Sequence, residues 1–192
     1  MVNHHLAETA STIFQNRFGN SKPNGTLGEI ATVTSGKRPQ LKLAEKTSEA
    51  TIPILGAASI MGYTNQVLYS EKILVTGRVG THGIIQRYNR PCWPSDNSLV
   101  LKSEKYELVY QILSNTDFTG MNRGSTQPLI TQTDIKNISV YIPTDVEFAE
   151  FEDTVETLMN QYEANIKQNE ILSVLRDTLL PKLISGEIAV AD

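Results

Sequence analysis

From Asp145 to Leu180 the chain carries neither glycine nor proline, and its apolar residues recur at helical spacing. Phe151, Val155, Leu158 and Tyr162 step by four, three and four, and the same heptad register runs on through Asn165, Asn169, Leu172, Arg176, Leu179 and Leu183. The spacing predicts a helix about 50 Å long at ~1.5 Å per residue. A rod of that length nearly matches the diameter of the rest of the chain, so it projects from the body or pairs with another helix. Asparagines at seam positions lower stability but fix register and partner number, a role open to Asn165 and Asn169. The alternative is that the seam packs on the body as an ordinary core helix. Pro181 predicts a helix end near Leu180, and Gly186 closes a short tail.

What precedes the helix differs in pattern and in charge. Residues 1–143 hold 14 Lys+Arg and 10 Asp+Glu, a balance of +4, whereas residues 144–192 hold 3 and 11, a balance of −8; the total is −4. Parts so different in sign suggest different partners. Leu6, Ala10, Ile13, Phe14 and Phe18 predict a short amphipathic helix within residues 1–20, followed by a breaker-rich stretch from Gly19 to Gly25. Short β-branched runs bounded by turn residues predict strands at Leu27–Gly36, Ile52–Leu55, Lys72–Val75, Gly83–Gln86 and Leu99–Leu101. Tyr106–Leu113 fits one helix face, and Ile138–Ile142 reads as a last strand stopped by Pro143. The expected fold class is therefore α+β: a loop-rich mixed domain over residues 21–143, then a long coiled-coil-type helix and tail over 144–192.

Several chemistries find no support. No run approaches the ~18 apolar residues of a membrane span, and MVNHHLAETA lacks the layout of a signal peptide, so a cytoplasmic location is expected. One cysteine, Cys92, cannot form an intramolecular disulfide. It sits in Arg90-Pro91-Cys92-Trp93-Pro94, a context for a packed thiol. A small cysteine hydrolase using Cys92 with His82 stands as a rival. Gly77-Arg78-Val79-Gly80-Thr81-His82-Gly83 lacks the ending of a phosphate-binding loop. No carboxylate or histidine cluster has metal-ligand spacing, so neither metal nor cofactor is expected.

Three polar loops remain. Ser35-Gly36-Lys37-Arg38-Pro39-Gln40, the Gly77–Gly83 run and Asn122-Arg123-Gly124-Ser125-Thr126-Gln127-Pro128 mix cations, amides and hydroxyls on glycine-bearing backbone. Arginine pairs with guanine edges, amides pair with adenine edges, and hydroxyls hold phosphates. Lys37, Arg38, Arg78, Thr81, His82, Arg123, Ser125, Thr126 and Gln127 are the candidate DNA-facing residues. Gly77, Gly80, Gly83 and Gly124 would permit close approach, while Trp93 and Asp96 read as structural, with Trp93 in the core.

The run Lys72–Gly83, then Cys92-Trp93-Pro94-Ser95-Asp96-Asn97, Gly124–Thr131, Ile142-Pro143 and the closing Leu175–Ile188 segment resembles the DNA-specificity subunits of type I restriction–modification systems. The series covers nearly the whole chain from Leu27 onward. The stretch Asp145–Glu150 departs from it, lacking the glutamine that family members often place after the helix-opening proline. The resemblance implies a target-recognition domain followed by a long conserved helix. In full subunits two such units pair their helices antiparallel, and each domain reads one half of a split target on double-stranded DNA. The helices also dock methyltransferase (modification) subunits, which hold S-adenosylmethionine, and a restriction subunit can join. The specificity subunit itself catalyses nothing and carries no cofactor.

With one recognition unit and one helix, the chain resembles a half-subunit. It would homodimerise through Phe151, Val155, Leu158, Tyr162, Asn165, Asn169, Leu172 and Leu179 and read a split palindrome. The second rival is a coiled-coil adaptor that binds only protein.

Overall fold

The computed structural model describes residues 2–78, 83–118 and 129–188. Helix α1 (Val2–Phe18) is followed by the two-residue strand β1 (Gly25–Thr26) and the single turn α2 (Leu27–Ile30). Strands β2 (Thr32–Ser35), β3 (Ile52–Leu55), β4 (Ile60–Thr64), β5 (Ile73–Gly77), β6 (Gln86–Tyr88), β7 (Trp93–Pro94) and β8 (Ser98–Lys102) come next. The chain ends with α3 (Tyr106–Ser114), the short α4 (Gln132–Lys136), β9 (Ser139–Val140) and the long α5 (Asp145–Ile184). The fold class is mixed α and β, with small open sheets and a long C-terminal helix.

The largest sheet has the order β2-β8-β5-β6, antiparallel throughout. Its inner strands β5 and β8 are buried on both faces, which explains their continuous apolar runs. A second sheet, β4-β3-β7, joins the β3–β4 hairpin to a parallel pairing with β7, and β1 pairs with β9.

The segment expected as one strand, Leu27–Gly36, divides into a helical turn and a strand. Thr26 caps the turn, with its backbone N–H and hydroxyl on Glu29 Oε1 at 2.7 and 2.9 Å. The strand expected at Gly83–Gln86 begins only at Gln86, because β5 offers partners to Gln86–Tyr88 alone. The final strand shrinks to Ser139–Val140 for the same reason, since β1 is only two residues long.

Helix α5 runs 40 residues, about 60 Å. Its start is a reciprocal cap: Thr144 Oγ1 accepts from Glu147 N–H at 3.4 Å, and Glu147 Oε2 accepts from Thr144 N–H at 2.8 Å. The helix does not stop at Leu180. Pro181 lies inside its last turn, where its carbonyl still accepts from Ser185 N–H at 2.9 Å, and the end falls at Ser185, with Gly186 at φ +73°.

The first half of α5 lies against α1, which runs antiparallel to it. Phe18 and Phe14 pack on Phe151 at ring distances of 5.3 and 6.3 Å. At the other end Asn165 Nδ2 donates to Asn3 Oδ1 at 2.8 Å. Phe151, Val155 and Met159 are fully buried there, in one core with Leu74, Leu99, Leu108, Leu113 and Ile135.

The expected seam thus needs correction. Phe151 and Val155 fill the protein's own core, Leu158 is only half-buried, and Met159 takes the position assigned to it. Asn165 bonds α1, so it marks where α1 runs out. Beyond it Ile171, Leu172, Val174, Leu175, Leu180 and Ile184 are exposed, Leu172 by 52%. Asn169 is exposed and Leu179 half-buried.

Candidate nucleic-acid interface

The chain leaves β2, β3, β5 and β7 at one common end of the two sheets. As it exits β2, Gly36 donates its N–H to Ser98 O and Lys37 donates to Pro94 O, both at 3.0 Å. Trp93 Nε1 donates to Lys37 O at 2.6 Å. The indole thus lies in the core and holds the loop that displays Lys37 and Arg38, both exposed. Gly36 is buried and leaves no room for a side chain: a Cβ there would lie 2.2 Å from Ser95 O and 2.4 Å from Pro94 O.

Just past β5, Arg78 is held at the same end, its N–H on Asn97 O at 2.9 Å and its carbonyl accepting from Ile130 at 3.0 Å. The second bond brings Ile130, two residues past the third polar stretch in sequence, beside Arg78. The Gln132 side-chain amide reaches Ser35 Oγ at 2.9 Å, tying α4 to the end of β2. Arg78 is half-buried, and among the described residues its Nε has no acceptor. Lys37, Arg38 and Arg78 are therefore gathered at one end. Thr81, His82, Arg123, Ser125, Thr126 and Gln127 lie outside the described residues, as do Gly80 and Gly124. Asp96 is exposed on the turn between β7 and β8.

One neighbour went unnoticed in the sequence. The Gly56–Ser59 turn of the β3–β4 hairpin closes at 2.8 Å, accepts Gln86 Nε2 on Gly56 O at 2.8 Å, and is joined to β7 by Ser95 N–H on Leu55 O at 2.9 Å. It stands at the same end, with Ile60 and Met61 exposed beside it. Its small residues, Gly56-Ala57-Ala58-Ser59, were the available signal, but only the pairing of β3 with β7 places it here.

Cys92 is fully buried, and burial, assisted by the charge of Glu71, pushes its thiol up to about 12. A thiol held in that form is a packed side chain rather than a nucleophile, which removes the basis of the hydrolase reading. Among the described residues no group of three or more potential ligands could hold a metal ion. No described helix is long and apolar enough to cross a membrane.

The comparisons with known proteins agree with this architecture. A curated relative, the type I restriction enzyme MjaIX specificity subunit of Methanocaldococcus jannaschii, is 31% identical over 99 residues, covering 50% of this chain and 22% of its own. The S subunit of a type I restriction–modification system from M. genitalium superimposes with a TM-score of 0.71 at 18% identity, over 95% of this chain and 55% of that one. The HsdS subunit from Thermoanaerobacter tengcongensis gives 0.51 at 15% identity, over 97% and 52%. This chain thus spans about half the length of those structures, and less of the curated relative. The family model for the type I restriction modification DNA specificity domain matches residues 22–173, from the loop before β1 to well along α5. The chain belongs to that family.

Proposed function

We propose that this chain acts as a non-catalytic specificity subunit that recognises one half of a split DNA target. The observation that carries the reading is that Lys37, Arg38 and Arg78 stand at one end of the sheets, with Ile130 bonded to Arg78 O there. Lys37, Arg38 and Arg78 offer cationic donors for phosphates and guanine edges. Thr81, His82, Arg123, Ser125, Thr126 and Gln127, outside the described residues, are proposed as further DNA contacts on their residue chemistry alone.

A second copy pairs along the part of α5 that outruns α1. Leu172 and Leu179 keep their seam role there, joined by Leu175 and Leu180, with Asn169 as the polar register residue. Two-fold symmetry then makes the target a split palindrome. The same helix docks methyltransferase subunits, which bring S-adenosylmethionine, and a restriction subunit can join them. The assembly works on cytoplasmic DNA.

The test is a genome-wide methylation map of a host with and without the gene. A split palindromic motif that vanishes on deletion is the expected result. A split asymmetric motif would replace the homodimer by a pair of different halves. An unchanged map, with the neighbouring methyltransferase expressed, would refute DNA recognition and favour the protein-only adaptor.

A further inference from the structure

We infer that Arg87 is a positioning residue that fixes the angle between the recognition body and α5, and so sets the separation of the two half-sites. The inference rests on the proposed reading of a split target. Arg87 lies on β6, the edge strand of the main sheet nearest α5, and its side chain is only 6% exposed. It makes a forked pair with Glu107 of α3, which is 1% exposed, through both terminal nitrogens. Its Nε and Nη2 also reach Glu163 Oε1 of α5, at 3.0 and 2.7 Å. The other oxygen of Glu163 accepts from Asn89 Nδ2 at 2.7 Å. The guanidinium is stacked between Tyr106 and Tyr110 at 5.0 and 4.7 Å. Burial opposes the charge, but Glu107 and Glu163 overcome it, so the guanidinium stays charged.

Three elements thus meet on one planar cation: β6 from the sheet, α3 from the body and α5 from the helix. A forked arginine is directional, so the contact resists rotation as well as separation. Arg90 adds a second, exposed tie seven residues further along α5, to Glu170 at 3.1 Å. No other described polar contact joins the sheet to α5 so deeply. The need for such a joint follows from DNA geometry. One added base pair shifts a half-site by ~3.4 Å and rotates it by about 35°. A body free to rock on its helix would accept neighbouring spacers. Nothing about the bases themselves depends on Arg87, which sits at the flank of the sheet and not at the loop end.

The experiment uses the full chain with its methyltransferase subunits on a DNA library in which the spacer between fixed half-sites varies. The variants are Glu163→Ala with Arg90→Ala, which cut both ties to α5 and leave the buried Arg87–Glu107 pair intact. Methylation at each spacer length is read by sequencing. The expected result is a preference over spacers one base pair longer or shorter that falls by about tenfold, with the same half-site bases. A merely stabilising role would lower methylation at all spacers alike, and that outcome, or an unchanged preference in an intact complex, overturns the inference. A wild-type complex with no split motif at all would instead sink the underlying reading.

Discussion

Gly36→Ala is the most informative small change in the candidate interface. The position has an ordinary negative φ, so a side chain is excluded by space rather than by backbone conformation. A methyl group would sit 2.2 Å from Ser95 O, 2.4 Å from Pro94 O and 2.7 Å from Pro94 C. These are backbone atoms of the strand that also carries Trp93, so they cannot swing aside. The two oxygen contacts fall more than ~1 Å short of the ~3.5 Å optimum. Relief requires the loop to lift, which stretches Gly36 N–H to Ser98 O and Lys37 N–H to Pro94 O, both now 3.0 Å. Overpacking costs about 1–3 kcal/mol, and each weakened hydrogen bond adds ~0.5–1.5. The variant should therefore lose about 2–6 kcal/mol in urea unfolding, with an unchanged m-value. At temperatures where it is fully folded, DNA binding by the assembled complex should fall as in Lys37→Ala, because the loop moves as a unit. A variant within ~0.5 kcal/mol of wild type, with normal DNA affinity, would refute the argument that Gly36 seats this loop.

Phe151→Ala should cost about 3–5 kcal/mol in chemical denaturation, since it empties the fully buried contact of α5 with Phe14 and Phe18. Burial, with help from Glu107 and Glu156, raises the Glu152 carboxyl to about 7 from an ordinary 4.5. The folded protein thus holds a proton that the unfolded chain releases, so wild-type stability drops as pH rises through that window. Thermal unfolding of Glu152→Gln should lack that drop and gain on wild type at pH 8 relative to pH 5; parallel profiles would rule the effect out. Cys92 should resist a thiol reagent in the native protein and react in urea, and rapid native labelling would contradict its burial. If Arg38 holds a phosphate, Arg38→Ala should lower the slope of log affinity against log salt by ~0.9, whereas Arg90→Ala should leave it unchanged.

The long helix was legible because its period is local: residues three and four apart must share a face whatever else the chain does. Its partner was not. The heptad pattern is the same whether the seam meets α1 or another molecule, and only the antiparallel course of α1, from Asn3 beside Asn165 to Phe18 beside Phe151, decides it. Strands β5 and β8 were likewise readable as buried runs. The two-residue strands β1 and β7 exist only through their pairings, so no propensity could announce them, while β9 was readable from its alternation but not in its length. The turn α2 did have a signal, the Thr26–Glu29 cap, masked by the β-branched residues that follow it. At the candidate interface, residue chemistry picked out Lys37, Arg38 and Arg78, while their proximity depends on hydrogen bonds between loops far apart in sequence.

The charge pattern shows why sums mislead. A segment at −8 beside a body at +4 suggests a helix turned toward other partners. The acids of α5 are instead set out along the body: Glu150 meets Arg17, Glu156 meets Lys72, Glu163 meets Arg87 and Glu170 meets Arg90. Their near-heptad spacing keeps them on one face of the helix, so the stripe follows the body's edge for about 30 Å. The exposed pairs contribute little stability each. Their effect on the field is larger, because they engage the body's cations along its flank. Among the described residues Lys37, Arg38 and Arg78 form no ion pair, as is also true of Lys22, Lys42, Lys46 and Lys136, so the loop end keeps its positive charge. A chain with net charge −4 can thereby present a cationic face to phosphate, with the acidic helix neutralising the flank on which it lies.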